Sequence, residues 1–212
     1  MRVIDIATWK RKEHFDYFCS LDEPYWSMTT EVDCTKAYED SKRLGHSFFL
    51  SCLYSSLTAV HEVEELRMRI AEGQVVCYDE IHASATILRA DETFGCCFIE
   101  YIKDFRKFAA NAVVKIEHTL NTSGMCLEQD YLLNQIHYSS IPWCNFTSLT
   151  YARSLKPQDT VPKITFGQRR SVSERYLMPV SIQVHHGLVD GLHVARYLHK
   201  FEAALAQSVI EL

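Results

Sequence analysis

A short segment near the C-terminus combines two adjacent histidines with an aspartate and two glycines. It covers His185–Gly191 and reads HHGLVDG. A neutral imidazole titrates near neutral pH, so it can take a proton from a hydroxyl group. Asp190 follows closely enough to fold back around a turn, and glycines adopt backbone angles that other residues avoid. These residue types favour an acid/base site, with ordinary packing of the two histidines as the alternative.

A metal site is a second interpretation of the same segment, because His193 follows only three residues after Asp190. Adjacent residues on a strand point to opposite faces, so His185 and His186 cannot easily bind one ion. The eight cysteines include no C-x-x-C pair, which argues against a zinc or redox site. The sequence therefore predicts no metal, and free thiols.

The elements on either side of this segment would present it at the end of a strand. Leu177–Val184 is apolar and β-branched with partial alternation, which predicts a strand. After the segment, apolar residues recur at helical spacing through Leu205, which predicts a helix. The histidines would then lie in the turn between a core strand and a helix.

Elsewhere the chain alternates helical and extended patterns, with no internal repeat or linker. Helices are predicted at Thr8–Phe18 (with Thr8 as the cap), Asp33–Gly45, Ser47–Val63 and Asp104–Leu120. Strands are predicted at Tyr25–Val32, Leu66–Ile70, Gln74–Tyr78, Ala83–Ala90, Thr93–Ile99, Gln135–Ser140, Phe146–Tyr151 and Lys163–Phe166, and a loop at Ser154–Pro162. This order predicts a mixed α/β (α+β) fold with helices packed on one sheet.

Composition and length limit the classes of function. Residues 1–212 fit one domain, and 47% hydrophobic with 23% charged residues is ordinary for a globular protein. A net charge of −5 argues against nucleic acid as a partner. No apolar run reaches the roughly 20 residues that cross a membrane, and the N-terminus lacks a signal-peptide core. We therefore expect no membrane partner and a cytoplasmic location.

The segment HHGLVDG resembles the HHxxxDG signature of CoA-dependent acyltransferases. The longer stretch Ile182–Arg196 is similar to one family in particular, the type A chloramphenicol acetyltransferases. Three further stretches resemble that family: Trp9–Phe15 its opening helix motif, Glu65–Met68 its E-x-R-M segment, and Pro142–Phe146 its P-W-x-x-F segment. The resemblance runs from about Ile4 to the C-terminal helix.

The resemblance implies a large mixed sheet covered by helices in two layers, and direct acetyl transfer from acetyl-CoA in a ternary complex. His186 corresponds to the family's general base, and Asp190 to an aspartate that pairs with Arg11 and orients the turn. Ser139 corresponds to the serine that donates to the oxyanion, and Thr165 to a threonine that holds a water. No metal is implied. A homotrimer is implied, with each active site at a subunit boundary.

Two details of that assignment remain open in the sequence. Ser140 is a second candidate for the oxyanion donor, although alternation points it away from Ser139. The family has a Lys-Tyr pair near the CoA where this chain has Gln168 and Arg169. These two residues are the candidates for binding acetyl-CoA, because arginine suits phosphate, with a solvated loop as the alternative.

The acceptor pocket is predicted to be apolar and aromatic. Its candidate residues are Phe18, Tyr25, Trp26, Phe94, His137 and Phe146. His137-Tyr138 and Leu149–Tyr151 depart from the family's usual residues, which alters the size and polarity of the walls. The predicted acceptor is a hydroxyl of chloramphenicol. Alternatives are another small hydroxylated acceptor, a non-catalytic binding relative, or a hydrolase in which His186 activates water.

Overall fold

The fold is a large mixed β-sheet covered on one face by helices. The computed structural model describes residues 1–154 and 159–207. The helices are α1 (Lys12–Cys19), α2 (Thr35–Leu44), α3 (Phe48–His61), α4 (Phe105–Asn121) and α5 (Gly191–Leu205), with a 3-10 turn at Glu64–Arg67. The strands are β1 (Arg2–Val3), β2 (Tyr25–Asp33), β3 (Met68–Ala71), β4 (Gln74–Cys77), β5 (His82–Leu88), β6 (Phe94–Ile99), β7 (Gln135–Ile141), β8 (Lys163–Gly167), β9 (Arg170–Val172) and β10 (Arg175–His185). The predicted mixed fold class is confirmed.

The large sheet has the strand order β2-β10-β8-β7-β5-β6, and β9 adds to β10. Its two central pairings, β5 with β7 and β7 with β8, are parallel, whereas β10 runs antiparallel to both β2 and β8. A second, three-stranded sheet has the order β1-β4-β3. Strand β10, which ends at the first of the two histidines, therefore lies next to the edge strand β2.

The core lies between the large sheet and helices α3 and α5. Val180, Ile182 and Val184 alternate along β10 and are buried in this core. Ser56 of α3 joins the layers, because its hydroxyl lies 2.8 Å from the Tyr138 hydroxyl of β7. The two faces of β10 differ in polarity, and this fixes its register: a slip of one residue would turn the apolar side chains to the face of Ser181 and Gln183 and bring those polar groups into the core.

The opposite face of the sheet carries a row of hydroxyl side chains across neighbouring strands. Ser139 of β7 is paired with Thr165 of β8, and Thr165 with Ser181 of β10. Ser181 is paired in turn with Thr29 of β2, and its hydroxyl accepts a hydrogen bond from Thr29 at 3.1 Å. Because the side-chain period of a strand is two residues, these side chains share the face that α3 and α5 do not cover. We call this surface the polar face.

Most predicted element ends agree with the structure. Gly45 ends α2 in the left-handed conformation (φ 71°). The Ser47 and Asp104 side chains cap α3 and α4 by accepting hydrogen bonds from backbone N–H groups. The β3–β4 hairpin turns through Glu72 and Gly73, both with positive φ, which matches the right-handed twist of the strands.

Two predicted local features are wrong. Thr8 does not cap α1, because its hydroxyl donates to Asp5 and the helix begins at Lys12, after Arg11. The segment Phe146–Tyr151 is not a strand. The preceding strand β7 is already paired on both sides, so this segment finds no free sheet edge there.

The segment Phe146–Tyr151 packs over the polar face instead, and the Tyr151 hydroxyl donates to the Ser181 carbonyl at 3.0 Å. The predicted loop at Ser154–Pro162 includes residues 155–158, which lie outside the described residues. Within the described ranges, no helix is both long and apolar enough to cross a membrane.

Candidate active site

The two histidines lie where β10 ends and the chain turns toward α5. The backbone N–H of His186 donates to the Pro24 carbonyl at 2.7 Å, just after His185 makes the last pairing of β10 with β2. The backbone N–H of Gly187 donates to His185 Nδ1 at 3.2 Å. Gly187 and Gly191 do not have positive φ, so the predicted use of unusual backbone angles is wrong; at Gly187 the reason is space, because a Cβ there would lie 3.1 Å from the His185 ring.

The imidazole of His186 is held by aromatic rings from two other elements. The Phe18 ring of α1 stacks on it, with centroids 3.8 Å apart and planes 10° apart. The Trp26 ring of β2 tilts against it at 5.6 Å, and Trp26 Nε1 donates to the Val189 carbonyl. Nδ1 of His186 is buried without a hydrogen bond, and the side chain as a whole is half-buried. The ring orientation is thus set mainly by packing.

An ion pair between Arg11 and Asp190 stabilises the turn. Arg11 Nη1 lies 2.5 Å from Asp190 Oδ2, and Arg11 Nη2 donates to the His186 carbonyl at 3.4 Å. Burial acts to raise the pKa of Asp190, but the hydrogen bond from Arg11 and the charge of Arg11 bring it below its usual value. The Asp190 side chain is about one-third exposed, so the pair is only partly buried.

His185 has an environment that opposes proton uptake. Its side chain is 2% exposed, and its ring meets the Tyr25 ring edge-on at 5.5 Å. Burial, together with the neighbouring His186, lowers the pKa of His185 to about 4. Because Nδ1 also accepts a backbone hydrogen bond, His185 is a neutral structural side chain at pH 7. Of the two adjacent histidines, His185 is therefore not suited to take up a proton at neutral pH.

A second set of polar groups surrounds Ser139 on the polar face. Thr86 of β5 donates to Ser139 Oγ at 3.2 Å, which leaves the Ser139 proton available to another acceptor. Thr165 lies beside Ser139 on β8, and its Oγ1 is buried without a hydrogen-bond partner. Together they line a cavity of about 360 Å³. Ser140 also borders this cavity, but it is paired with Phe166, a residue of the core.

These residues form two regions that are used below. The base region comprises Arg11, Phe18, Trp26, His186 and Asp190. The hydroxyl region comprises Thr86, Phe94, Ser139, Tyr151 and Thr165, which all line the 360 Å³ cavity with Trp143 and Leu149 among its other walls.

The predicted acceptor residues divide between these regions and other places. Phe18 and Trp26 contact His186, and Phe94 lines the cavity beside Ser139. Tyr25 contacts His185 instead, with the Arg153 guanidinium over its ring.

The other two candidates lie apart from both regions. Phe146 packs against Gly167, where an added Cβ would approach its ring to 2.8 Å. His137 lines a different cavity of about 810 Å³, and its Nε2 lies 3.7 Å from Asp130.

The residues predicted to bind CoA border a third cavity, of about 210 Å³. Arg169 is half-buried, with its guanidinium 3.7 Å from the centre of the Tyr38 ring and Nη2 donating to the Tyr38 hydroxyl. Its Nε is buried and makes no hydrogen bond. Gln168 is exposed, and its backbone carbonyl accepts from Asn145. Arg169 is therefore part of an aromatic cluster rather than a solvated loop charge.

Sequence reasoning missed the hydroxyl that supports Ser139. Thr86 alternates with Ala83 and Ala85 along β5, which signals the face, but the pairing of β5 with β7 was not predictable from that pattern. In the described part of the chain, no group of three or more histidine, cysteine or carboxylate side chains is arranged to hold a metal ion.

Within one chain the two regions lie far apart. Ser139, Thr165 and Ser181 are aligned across three strands, and His186 follows Ser181 by five residues. At about 3.3 Å per residue and 4.8 Å per strand, the Cα atoms of His186 and Ser139 are separated by roughly 19 Å.

Known proteins resemble this chain over nearly its whole length. A family model described as chloramphenicol acetyltransferase matches residues 1–202. A chloramphenicol acetyltransferase of Campylobacter coli is 31% identical over 204 residues, covering 95% of this chain and 97% of the relative. One of Klebsiella sp is 28% identical over 207 residues, covering 94% and 91%. A solved chloramphenicol acetyltransferase structure superposes with a TM-score of 0.90 and 32% identity, covering 96% and 99%. On these grounds the chain belongs to the chloramphenicol acetyltransferase family.

Proposed function

We propose that this protein transfers an acetyl group from acetyl-CoA to a hydroxyl of chloramphenicol, with His186 as the general base. The observation that carries this proposal is the imidazole of His186, fixed between Phe18 and Trp26 on a turn that the Arg11–Asp190 pair clamps. A base must hold one orientation to take a proton efficiently, and this geometry supplies it. The acceptor is the one named for the relatives of this family.

The proposed reaction uses both regions in one step. His186 takes the proton of the acceptor hydroxyl as its oxygen attacks the thioester carbonyl, and negative charge develops on the carbonyl oxygen. The Ser139 hydroxyl, which accepts from Thr86, donates its proton in a hydrogen bond to that oxygen. The tetrahedral intermediate then collapses to the acetyl ester and the CoA thiolate. The thiolate sulfur takes the proton from His186.

The separation of the two groups within one chain argues against a site made by that chain alone. A base and an oxyanion donor must each lie within about 3 Å of neighbouring reacting atoms, whereas His186 and Ser139 are separated by roughly 19 Å in one chain. We therefore propose the homotrimer, with His186 of one subunit facing Ser139 of the next. A head-to-tail interface of this kind gives a closed trimer when the rotation between neighbouring subunits is one third of a turn.

The CoA assignment takes a specific form. We propose that acetyl-CoA binds along the cavity that Phe48, Gln168 and Arg169 help to line. The buried Nε of Arg169 lacks a hydrogen bond, which fits a donor that a polar group of the ligand would engage. Residues 1–212 form one acetyltransferase domain in this proposal. We place it in the cytoplasm, in keeping with eight cysteines of which none forms a disulfide.

A different small hydroxylated acceptor is the second candidate. Leu149 and Tyr151, which depart from the residues expected by resemblance, both line the cavity beside Ser139. Burial raises the pKa of Tyr151, and its hydroxyl is engaged by the Ser181 carbonyl, so this bulky side chain is fixed in the wall. A changed wall alters the acceptor without altering the chemistry at His186.

The direct test is release of the CoA thiol from acetyl-CoA with chloramphenicol and, in parallel, a panel of small alcohols. Chloramphenicol-dependent release with formation of acetylated chloramphenicol supports the proposal. Release only with another alcohol would keep the mechanism and change the acceptor. Release without any acceptor would identify a hydrolase, and no release in any arm would identify a binding relative.

Mixing subunits tests the shared site. A His186→Ala chain and a Ser139→Ala chain, each inactive alone, are unfolded together and refolded as a mixture. Sites that combine His186 of one chain with Ser139 of the other should restore about a quarter of wild-type activity, from random pairing across a head-to-tail interface. Refolding each variant separately is the control. No recovery in the mixture, with native mass and folding, would contradict the shared site.

A further inference from the structure

A buried histidine on the far side of Asp190 is not used by the chemistry described above. His193 lies in the first turn of α5 and is 6% exposed. The backbone N–H of Asp190 donates to His193 Nδ1 at 3.1 Å. The Asp190 side chain accepts in return from the backbone N–H of Leu192 at 3.2 Å. Histidine thus takes the position that glutamate or glutamine occupies in an ordinary capping box.

The hydrogen bond to Nδ1 determines the state of this ring. A nitrogen that accepts a backbone N–H carries no proton, so neutral His193 holds its proton on Nε2. Burial lowers the pKa of His193, although the carboxylates of Glu65 and Asp190 oppose that shift. Nε2 lies 3.2 Å from Glu65 Oε1. The protonated nitrogen therefore faces a carboxylate from another part of the fold.

Glu65 belongs to the 3-10 turn that follows α3, and its side chain is about one-fifth exposed. It is also the first residue of the E-x-R-M segment singled out in the sequence. A continuous chain of contacts now runs from Glu65 through His193 to Asp190, then to Arg11 and the His186 carbonyl. This chain connects the α3 side of the core to the turn that holds the base.

We propose that His193 and Glu65 are positioning residues for His186, acting through the Asp190 backbone and carboxylate. An ordinary cap satisfies only the end of its own helix. Here the capping-box residue His193 also contacts Glu65, which belongs to a second element. Glu65 and His193 therefore together hold Asp190 in the position from which its carboxylate contacts Arg11. Loss of this support shifts the turn, and a displacement of about 1 Å at a catalytic group can cost about 100-fold in rate. This inference rests on the proposed function of His186.

The experiment compares four variants with the wild-type protein. His193→Ala removes both contacts. His193→Gln keeps an oxygen that can accept from the Asp190 N–H but loses the ring that faces Glu65. Glu65→Ala removes the carboxylate alone. Asp104→Ala is the matched control, because Asp104 caps α4 by accepting from Lys107 and touches neither region of the site.

The measurements are kcat and KM for chloramphenicol, the unfolding temperature, and the NMR titration of His186 in protein labelled at histidine Cε1. His193→Ala should lower kcat by about 10- to 100-fold with little change in KM, and should alter the His186 titration. Glu65→Ala should move both in the same direction by less, and His193→Gln should fall between His193→Ala and Glu65→Ala. Asp104→Ala should lower the unfolding temperature alone.

Two results would overturn the inference. In the first, His193→Ala behaves like Asp104→Ala, with reduced stability but unchanged kcat and His186 titration. In the second, Glu65→Ala leaves both readouts unchanged, so the support is the cap alone. The titration does not depend on turnover. If the wild type fails to acetylate chloramphenicol but the His193 and Glu65 variants alter the His186 titration, the proposed function fails and the positioning role stands.

Discussion

The base region and the hydroxyl region are built in different ways. In the base region, His186 is enclosed by the Phe18 and Trp26 rings, and an ion pair fastens its turn. In the hydroxyl region, Ser139 and Thr165 lie on a regular sheet, are aligned by strand pairing, and face an open cavity. The base region holds one imidazole between two aromatic rings, whereas several hydroxyl groups of the hydroxyl region line a cavity.

That difference separates the chemistry from the choice of acceptor. The motif residues that suggest acyl transfer, His186, Asp190 and Arg11, lie together in the base region. Departures from the resembled family at Leu149 and Tyr151 fall in the walls of the hydroxyl region. We therefore expect changes in the base region to act on kcat, and changes in the cavity walls to act on KM.

The largest effect is expected for His186→Ala. Loss of the general base should reduce kcat by about 10²- to 10⁴-fold, while circular dichroism and molecular mass stay native. Steady-state kinetics with chloramphenicol measure this. His185→Asn is the paired control, and it should retain most of the turnover because His185 is structural. An active His186 variant beside an inactive but folded His185 variant would reverse the two assignments.

Ser139→Ala tests the hydroxyl region in the same assay. Removing one oxyanion donor should lower kcat by about 10²- to 10³-fold with little change in KM, because the oxyanion exists only near the transition state. Thr86→Val, which removes the hydroxyl that donates to Ser139, should have a smaller effect in the same direction. Unchanged kcat in the serine variant would move the donor role to Ser140 or to a backbone amide.

The ion pair should affect activity and stability together. Arg11→Ala or Asp190→Ala should each lower kcat by about 10- to 100-fold through misplacement of His186. Each should also lower the free energy of unfolding by about 1–3 kcal/mol, since a partly buried charge loses its partner. The double variant should lose less than the sum of the two, measured by urea unfolding. Strict additivity would show that the two residues do not interact.

Acid should lower the free energy of unfolding through His185. Its pKa is about 4 in the folded protein and near 6.5 when unfolded, so the unfolded chain binds more protons between these values. Above pH 6.5 the free energy of unfolding should show no loss from His185. It should fall by on the order of 2–3 kcal/mol as the pH drops from 6.5 to 4. Urea unfolding of the wild type and of His185→Asn across this range measures the difference. Parallel pH profiles would exclude His185 as the source.

The smallest effect is expected for Tyr151→Phe. It removes a hydroxyl that donates to the Ser181 carbonyl but keeps the ring in the cavity wall, so KM should change by a few-fold. Tyr151→Leu, which removes the ring, should change KM for chloramphenicol by about 5- to 100-fold, with kcat affected less. A fall in kcat without a change in KM would mean that Tyr151 belongs to the chemistry rather than to acceptor selection.

Much of the fold was predictable because its signals are local. Alternating apolar residues in Leu177–Val184 predict β10, and the helical spacing that ends at Leu205 predicts α5. Ser47 and Asp104 predict helix starts, since a cap needs only a side chain that folds back onto nearby N–H groups. Phe146–Tyr151 has the composition of a strand, but the preceding strand β7 is already paired on both sides, which no local pattern can report.

The sequence by itself predicted which groups are candidates for the chemistry, and the tertiary structure decided where they lie. HHGLVDG supplied the base, and resemblance supplied Arg11 and Ser139. Only the fold could reveal that Phe18 and Trp26 enclose His186, that Thr86 supports Ser139, and that Glu65 faces His193. The reason is physical: residue chemistry belongs to the side chain, whereas these contacts join elements that are distant in sequence. These contacts depend on strand order and helix packing, and those are set by the free energy of the whole chain rather than of any one segment.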